Sequence, residues 1–240
     1  MVYSCCEAFL KYFKMKNLVV LSGAGISAES GIKTFRDANG LWEGHDVMEV
    51  ASFDGFLKNP ELVLDFYNQR RRQLREVMPN AAHQFLVDLE QFYKVTVITQ
   101  NVDDLHERAG SSEVIHLHGE LFKVRSLEDE NLLYDWKEDL LLTTKNKEGH
   151  QLRPHIVWFG EAVPEMEHAI IKVKQAAILL IIGTSLQVYP AAGLIDYASK
   201  AEKIYYIDQN PADTHYFNKN ITVIPDTATN GMKRVYEELC

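Results

Sequence analysis

Residues 17–28 read NLVVLSGAGISA: a β-branched apolar run from Asn17 to Ser22, then Gly23-Ala24-Gly25-Ile26-Ser27-Ala28. An apolar run of this length without alternation reads as a strand buried on both faces, as in parallel sheets. The six residues after it have the GxGxxA spacing of a dinucleotide turn. There the glycines let the backbone approach a pyrophosphate and a following helix N-terminus stabilises its charge. Glycine turns also close ordinary strand-to-helix connections, so on this stretch alone the ligand stays open.

Five more runs share the character of the first: residues 94–99, 113–117, 177–182, 203–207 and 221–224. Helical patterns lie between them. Pro79-Asn80 opens one with apolar spacing at Ala82, Phe85, Leu86 and Leu89, and Pro164 opens another through Ile170 and Val173. Strands alternating with helices predict an α/β fold with a doubly wound parallel sheet. Two stretches break the alternation. Residues 37–78 hold the loop-like DANGLWEGHD and then an arginine-rich helical segment, while 119–154 is charged, weakly periodic and ends in LRP. The expected division is a main domain of residues 1–37, 79–118 and 155–240, with a second, smaller lobe split between 38–78 and 119–154.

The chain has 240 residues, enough for one large domain with an appendage. At 46% hydrophobic and 25% charged it is neither disordered nor collagenous. Thirty-four acidic residues against 25 Lys and Arg give a net charge of −9, which argues against nucleic-acid and membrane-surface partners. Three cysteines, Cys5, Cys6 and Cys240, offer neither a disulfide framework nor a CxxC metal pair, and place the protein in a reducing, cytoplasmic setting. No apolar run reaches the ~18 residues of a transmembrane helix. Residues 1–16 have an apolar stretch interrupted by Glu7 and no cleavage site, and read as untargeted. The first fourteen are a leader helix or the product of start-codon choice.

A hydride-transfer enzyme would continue from the glycine turn into a second strand, with an acidic residue ~20 positions on for the adenosine ribose. The sequence continues instead as SGIKTFRDANGLW, which disfavours that chemistry. Phe35 and Arg36 are placed to cover the cleft, as an aromatic lid and a cation for phosphate or ribose oxygens. A core phenylalanine and a surface arginine are the alternative. The remaining strand ends are polar as well: Gln100-Asn101-Val102-Asp103, His118-Gly119, Gly183-Thr184-Ser185 and Asp208-Gln209-Asn210. Ligands of open α/β sheets bind outside the carboxyl ends of the strands, so these groups converge on one crevice. Of nine histidines, His118 stands at a strand end before a glycine, open to a ligand and suited to act as a general base. His116 faces the same way and is read as packed; His45, His83, His106, His150, His155, His168 and His215 are read as structural or surface residues.

Taken together, GAGISAESGIKTFR, GLW, TQNVDDLHERAG, HLHGE, RPHIVWFGE and GTSLQVYPAA resemble the sirtuin family of NAD-dependent protein-lysine deacylases, from about Asn17 to the last strand. The resemblance implies a Rossmann-like sheet with NAD as co-substrate and an acyl-lysine protein or peptide as partner. It implies that Gly23, Ala24, Gly25, Ser27, Phe35 and Arg36 hold the pyrophosphate and cover the nicotinamide ribose, with Trp42 and Val102 also at the cofactor. Gln100, Asn101 and Asp103 would orient that ribose and the carboxamide. Gly183, Thr184 and Ser185 would meet phosphate and adenosine ribose, and Asp208, Gln209, Asn210 and Ala228 the adenosine. In the family's chemistry the acyl-lysine oxygen attacks the anomeric carbon and nicotinamide leaves. A histidine, here His118, then deprotonates a ribose hydroxyl so that the acyl group migrates. The products are free lysine, nicotinamide and O-acyl-ADP-ribose.

Val157, Trp158, Phe159 and Gly160 would pair edge-on with the substrate peptide and line an acyl-lysine tunnel. Tyr67 and Arg70, three apart on a helix, match the Tyr-x-x-Arg pair of the subgroup acting on succinyl- and malonyl-lysine. The alternative is that Arg70, Arg71, Arg72 and Arg75 form a solvated face with Tyr67 in the core. The chain departs from the family at the four cysteines that usually hold a structural zinc. It has none in 119–154, Ser126 stands where the first is expected, and His150 and His155 cannot complete a tetrahedral site. No zinc is therefore expected, with the lobe held by Leu121, Leu132, Leu133, Trp136, Leu140 and Leu141. Two other functions fit the same cofactor cleft: mono-ADP-ribosyl transfer, and non-catalytic sensing of NAD or ADP-ribose.

Overall fold

The computed structural model describes residues 15–33, 41–42, 44–215 and 220–240. Its strands, in chain order, are β1 (Asn17–Ser22), β2 (Leu41–Trp42), β3 (His45–Asp46), β4 (Lys94–Thr99), β5 (Val114–His116), β6 (Gly119–Ser126), β7 (Leu133–Asp135), β8 (Leu152–Ile156), β9 (Ile178–Ile182), β10 (Lys203–Ile207) and β11 (Ile221–Ile224). Six of them form a parallel sheet in the order β11-β10-β9-β1-β4-β5. β1 lies in the middle, which is why its apolar run shows no alternation. Val19 and Leu21 enter one core layer with Ile98, Leu179, Ile181, Val173 and Ile195. Leu18 and Val20 enter the opposite layer with Val97, Leu180, Leu86, Leu89 and Met232. All four are at most 1% exposed, and each contributes about 2 kcal/mol by burial.

The chain builds the sheet from β1 through β4 to β5 on one side, then returns to β9 on the other side of β1. The order reverses between β1 and β9, and that reversal opens a crevice at the carboxyl ends of the strands. The flanking helices begin with side-chain caps. Asn80 starts Ala81–Leu89 in a reciprocal capping box with His83, and Thr227 starts Ala228–Leu239. β1 does not run into the α-helix that the dinucleotide turn predicts. Two 3₁₀ turns, Ala24–Ile26 and Ala28–Ser30, follow it, the second ending at Gly31 with φ +95°, and the Gly25 N–H donates to Gly183 O at 2.8 Å.

A second sheet, antiparallel in the order β7-β6-β8, packs with the Pro60–Glu76 helix around Phe66, Tyr67, Leu74, Val124, Leu152, Ile156 and Trp158. Asn68 bonds both backbone groups of Leu140, at 3.1 and 2.8 Å, and the buried Arg71 donates to Leu121 O at 3.0 Å, so polar side chains join helix and sheet. Of the residues expected to hold this region, Leu121 and Leu140 are in its core and Trp136 packs against it. Leu133 and Leu141 are 44% and 57% exposed and Leu132 is half-buried, which corrects that expectation. β7 is an edge strand, and its alternation turns Tyr134 inward and Leu133 outward. Among the described residues no helix is long and apolar enough to cross a membrane.

Candidate functional site

At the reversal point the turns after β1 and β9 interlock. Gly183 has φ +62°, and a Cβ there would lie 2.3 Å from Ile26 N; one on Gly25 would lie 2.6 Å from Gly183 Cα. These glycines are needed for the two turns to cross, before any ligand is considered. The Gly23 N–H completes the crossing on Ile182 O at 3.0 Å. Thr184 is fixed from two sides: its hydroxyl accepts from Gln100 Nε2 at 3.0 Å, and its carbonyl accepts from the Tyr206 hydroxyl at 2.9 Å. At the next strand end the buried Asp208 accepts the Asn210 N–H at 2.8 Å, with Gln209 exposed between them. Ser185 is half-buried in the turn after β9, and Ala228 is buried at the start of its helix. Ala24 lies in the first 3₁₀ turn.

Polar side chains also link the first turn to the end of β4. Asn101 Nδ2 donates to Ser27 Oγ at 3.1 Å, and Ser27 Oγ donates to Asp103 Oδ2 at 3.0 Å, all three being buried. Asp103 Oδ1 accepts the Leu105 N–H at 3.2 Å. Burial outweighs these bonds and pushes the Asp103 carboxyl up to about 6. At neutral pH it is a poorly solvated acceptor at the crevice, available to a ligand hydroxyl.

His118 stands between β5 and β6. Gly119 has φ +83°, and a Cβ there would come within 2.1 Å of His155 O, so only glycine makes this turn. His118 Nδ1 lies 2.9 Å from Gln100 O. A carbonyl only accepts, so the proton sits on Nδ1 and the lone pair on Nε2. Burial lowers its pKa against the opposing pull of that carbonyl bond, leaving a neutral imidazole suited to take a proton at pH 7.

His116, read as packed, is largely buried and also hydrogen-bonded. Its Nδ1 lies 3.1 Å from Asn101 O and its Nε2 2.6 Å from Glu107 Oε1, partners the sequence reading did not name. His83 and His106, read as structural, are fully buried with ring centroids 4.9 Å apart; His106 Nε2 lies 3.0 Å from Ser22 Oγ.

The Tyr67 hydroxyl is buried and accepts from Trp158 Nε1 at 2.9 Å, and burial raises its pKa, so it is a neutral donor. Arg70, one turn on, donates to Phe66 O at 2.6 Å with its guanidinium 3.7 Å from the Phe66 ring. The alternative holds for Tyr67, which is in the lobe core, but not for one solvated arginine face. Arg72 and Arg75 pair with Asp139 and Glu138 at the surface, but Arg71 is fully buried. Trp42, expected at the cofactor, packs edge-on against Phe66 and Tyr67 at 4.9 and 6.1 Å.

Trp158 is held from beneath. The Arg153 guanidinium stacks 3.5 Å from its ring and pairs with Glu161 through two bonds of 2.6 and 3.1 Å. Glu161 also accepts from Trp158 N at 2.8 Å and from Arg125 at 3.2 Å. Sequence reasoning missed Arg125, Arg153, Glu161 and Glu107; the Arg and Glu at the two ends of RPHIVWFGE were the available signal. The Val157 and Phe159 N–H groups bond His118 O and Ala51 O, both at 2.9 Å. Phe159 also bridges Ser52 in parallel, and Gly160, exposed at the end of the segment, has φ +90°. Phe35 and Arg36 lie outside the described residues.

Residues 23–190 match the model of the Sir2 family. The chain is 63% identical over 225 residues to an NAD-dependent protein deacylase of Helicobacter pylori (strain ATCC 700392 / 26695), spanning 94% of this chain and 98% of that one. It is 53% identical over 231 residues to a protein of the same name from Bacteroides thetaiotaomicron, again spanning 94% and 98%. Among solved structures, a Sir2 homologue in complex with NAD superimposes with a TM-score of 0.84 at 37% identity, over 97% of this chain and 93% of that one. A mutant Sir2 homologue bound to ADP-ribose gives a TM-score of 0.85 at 35% identity, over 97% and 95%.

Proposed function

This chain belongs to the Sir2 family, and on that premise we propose that its crevice consumes NAD to remove acetyl groups, and succinyl or malonyl groups by preference, from lysine side chains of proteins. It is an NAD-dependent protein deacylase. The observation that carries the reading is His118, a neutral imidazole with its Nε2 lone pair available, beside four polar strand ends at the point where the sheet order reverses.

NAD brings an anomeric carbon from which nicotinamide can leave. The Gly23–Ser27 and Gly183–Ser185 turns would take its diphosphate, and Asp208, Gln209, Asn210 and Ala228 the adenosine side. Breaking the glycosidic bond develops positive charge on the ribose, which buried acceptors at 101–103 stabilise best where water is excluded. His118 Nε2 then accepts the ribose hydroxyl proton. The peptide would lie along Val157–Gly160, with its acyl-lysine running toward Trp158. Tyr67 already accepts from Trp158, so its remaining proton is directed to an acceptor such as the carboxylate of a succinyl group, and Arg70 supplies the counter-charge.

In this division of labour, 1–37, 79–118 and 155–240 hold the cofactor, while 38–78 and 119–154 shape the acyl site. We place the protein in the cytoplasm, acting on acylated proteins rather than on nucleic acid or membrane. The test is a turnover panel of acetyl-, succinyl-, malonyl- and long-chain acyl-lysine peptides with NAD. Succinyl and malonyl peptides should match or exceed acetyl in kcat/KM; turnover of acetyl alone would sink the acidic preference.

We also propose that 119–154 folds without zinc. The residues do not fit the metal. Ser126 Oγ accepts the Glu128 and Asp129 N–H groups at 3.1 and 3.2 Å and lies 3.1 Å from His150 Nδ1, while Asn146 Oδ1 accepts the His150 N–H at 2.7 Å. Hydrogen bonds thus close these turns, and among the described residues no three His, Cys, Asp or Glu side chains converge. Metal analysis should find only traces of zinc, and a chelator should leave the Tm unchanged. Near-stoichiometric zinc would contradict this.

A further inference from the structure

The two histidines flanking Leu117 bond consecutive carbonyls of one loop: His118 bonds Gln100 O and His116 bonds Asn101 O. Their second nitrogens differ. His118 Nε2 carries the lone pair, whereas His116 Nε2 meets the Glu107 carboxylate at 2.6 Å. A carbonyl and an ionised carboxylate both only accept, so filling both contacts takes a proton on each nitrogen. The His116 side chain is 9% exposed, which leaves little access for a solvating water.

We propose that His116 is held as an imidazolium by Glu107 and is a positioning residue for NAD, locking the peptide unit between Asn101 and Val102. This rests on the NAD-dependent reading above. The Asn101 carbonyl and the Val102 N–H belong to one planar trans unit and point in opposite directions, so the bond that fixes the first aims the second away from His116. The following unit is fixed too, since Val102 O accepts the Leu121 N–H at 2.8 Å. The Val102 N–H, a candidate cofactor contact, meets no acceptor among the described residues.

The groups facing His116 favour the charge. Glu107 comes from the Leu105–Ala109 helix, Glu120 from β6 and Asp103 from the loop; the basic groups near them among the described residues include Lys123, paired with Glu120 and felt by Glu107, and His106, its own pKa held well below the ordinary value by burial. Burial is the largest single effect and opposes the charge, but the bond to Glu107, the charges of Glu107 and Glu120 and the bond to Asn101 together outweigh it and raise the His116 pKa. A raised value in the folded state means that the clamp's stabilisation is complete below the unfolded pKa of ~6.5 and is lost as pH rises through the folded value.

The test combines a spectrum with kinetics on the whole protein. Nitrogen-15 spectra of the imidazoles should show both His116 nitrogens protonated at pH 7.5, with His118 neutral and carrying its proton on Nδ1. Glu107→Gln should lower the His116 titration point. In steady state, KM for NAD and the nicotinamide inhibition constant should each rise about 10-fold as His116 deprotonates, and His116→Gln should raise both about 10-fold at every pH, with a smaller change in kcat. A neutral His116 at pH 7.5, or a His116→Gln protein with unaltered KM and pH profile, would overturn the proposal. Failure of the wild-type protein to turn over any acyl-lysine peptide would instead overturn the deacylase reading, and the spectrum would still decide the charge on His116.

Discussion

Substituting His118 by alanine should reduce lysine release about 1,000-fold, the usual scale for loss of a positioned general base. NAD binding should change little, because the lost group acts as a proton acceptor and, among the described residues, its ring is held by the Gln100 carbonyl. The order of steps sharpens the expectation. In the mechanism proposed above, the base acts after nicotinamide has been expelled, so exchange of labelled nicotinamide into NAD, in the presence of an acyl-lysine peptide, should persist in His118→Ala while lysine release does not. Equal loss of both would place His118 at the first step and not the second. Turnover at the wild-type rate would remove it from the mechanism.

The second large effect concerns the acyl group. Arg70→Met should lower kcat/KM on succinyl- and malonyl-lysine peptides about 100-fold and on acetyl-lysine by about 3-fold or less, since a hydrogen bond to a charged group contributes ~1.5–3 kcal/mol. Arg70 and Tyr67 share one turn of the Pro60–Glu76 helix, and the Tyr67 hydroxyl is fixed by Trp158. Tyr67→Phe should therefore act in the same direction with a smaller effect. Equal losses on acetyl and succinyl peptides would show that Arg70 supports the helix and does not recognise a carboxylate.

The sheet was legible because each buried strand carries its own apolar run. Asn17–Ser22, Lys94–Thr99, Lys203–Ile207 and Ile221–Ile224 run as expected, and β5 and β9 differ only at their ends. The crevice was legible for a related reason: a polar or glycine residue directly after a buried strand has few other places to be. What the sequence hid lies in pairings between distant segments. Arg153 reads as an isolated cation until the fold sets it on Trp158, and Glu107 reads as a helix-surface acid until β5 brings His116 to it. The lobe residues were misjudged where composition stood in for geometry. Leu133 and Leu141 are apolar yet exposed, while Asn68 and Arg71 are polar yet buried, Asn68 bonded to Leu140 and Arg71 to Leu121 and Asn68.

The glycines at the reversal point show how one residue answers to two demands. Gly25 and Gly183 are needed for the two turns to pass each other, and the turns they form are the ones proposed to take the diphosphate. The buried Asp103 belongs with them. Its carboxyl is pushed up to about 6 by burial, so the fold keeps an under-solvated charge at neutral pH where a ligand hydroxyl would relieve it.

The most direct test of the whole account is mass spectrometry of the products formed from NAD and a succinyl-lysine peptide. The account predicts one free lysine, one nicotinamide and one O-succinyl-ADP-ribose for each NAD consumed. ADP-ribose attached covalently to protein, or NAD bound and recovered intact, would contradict it.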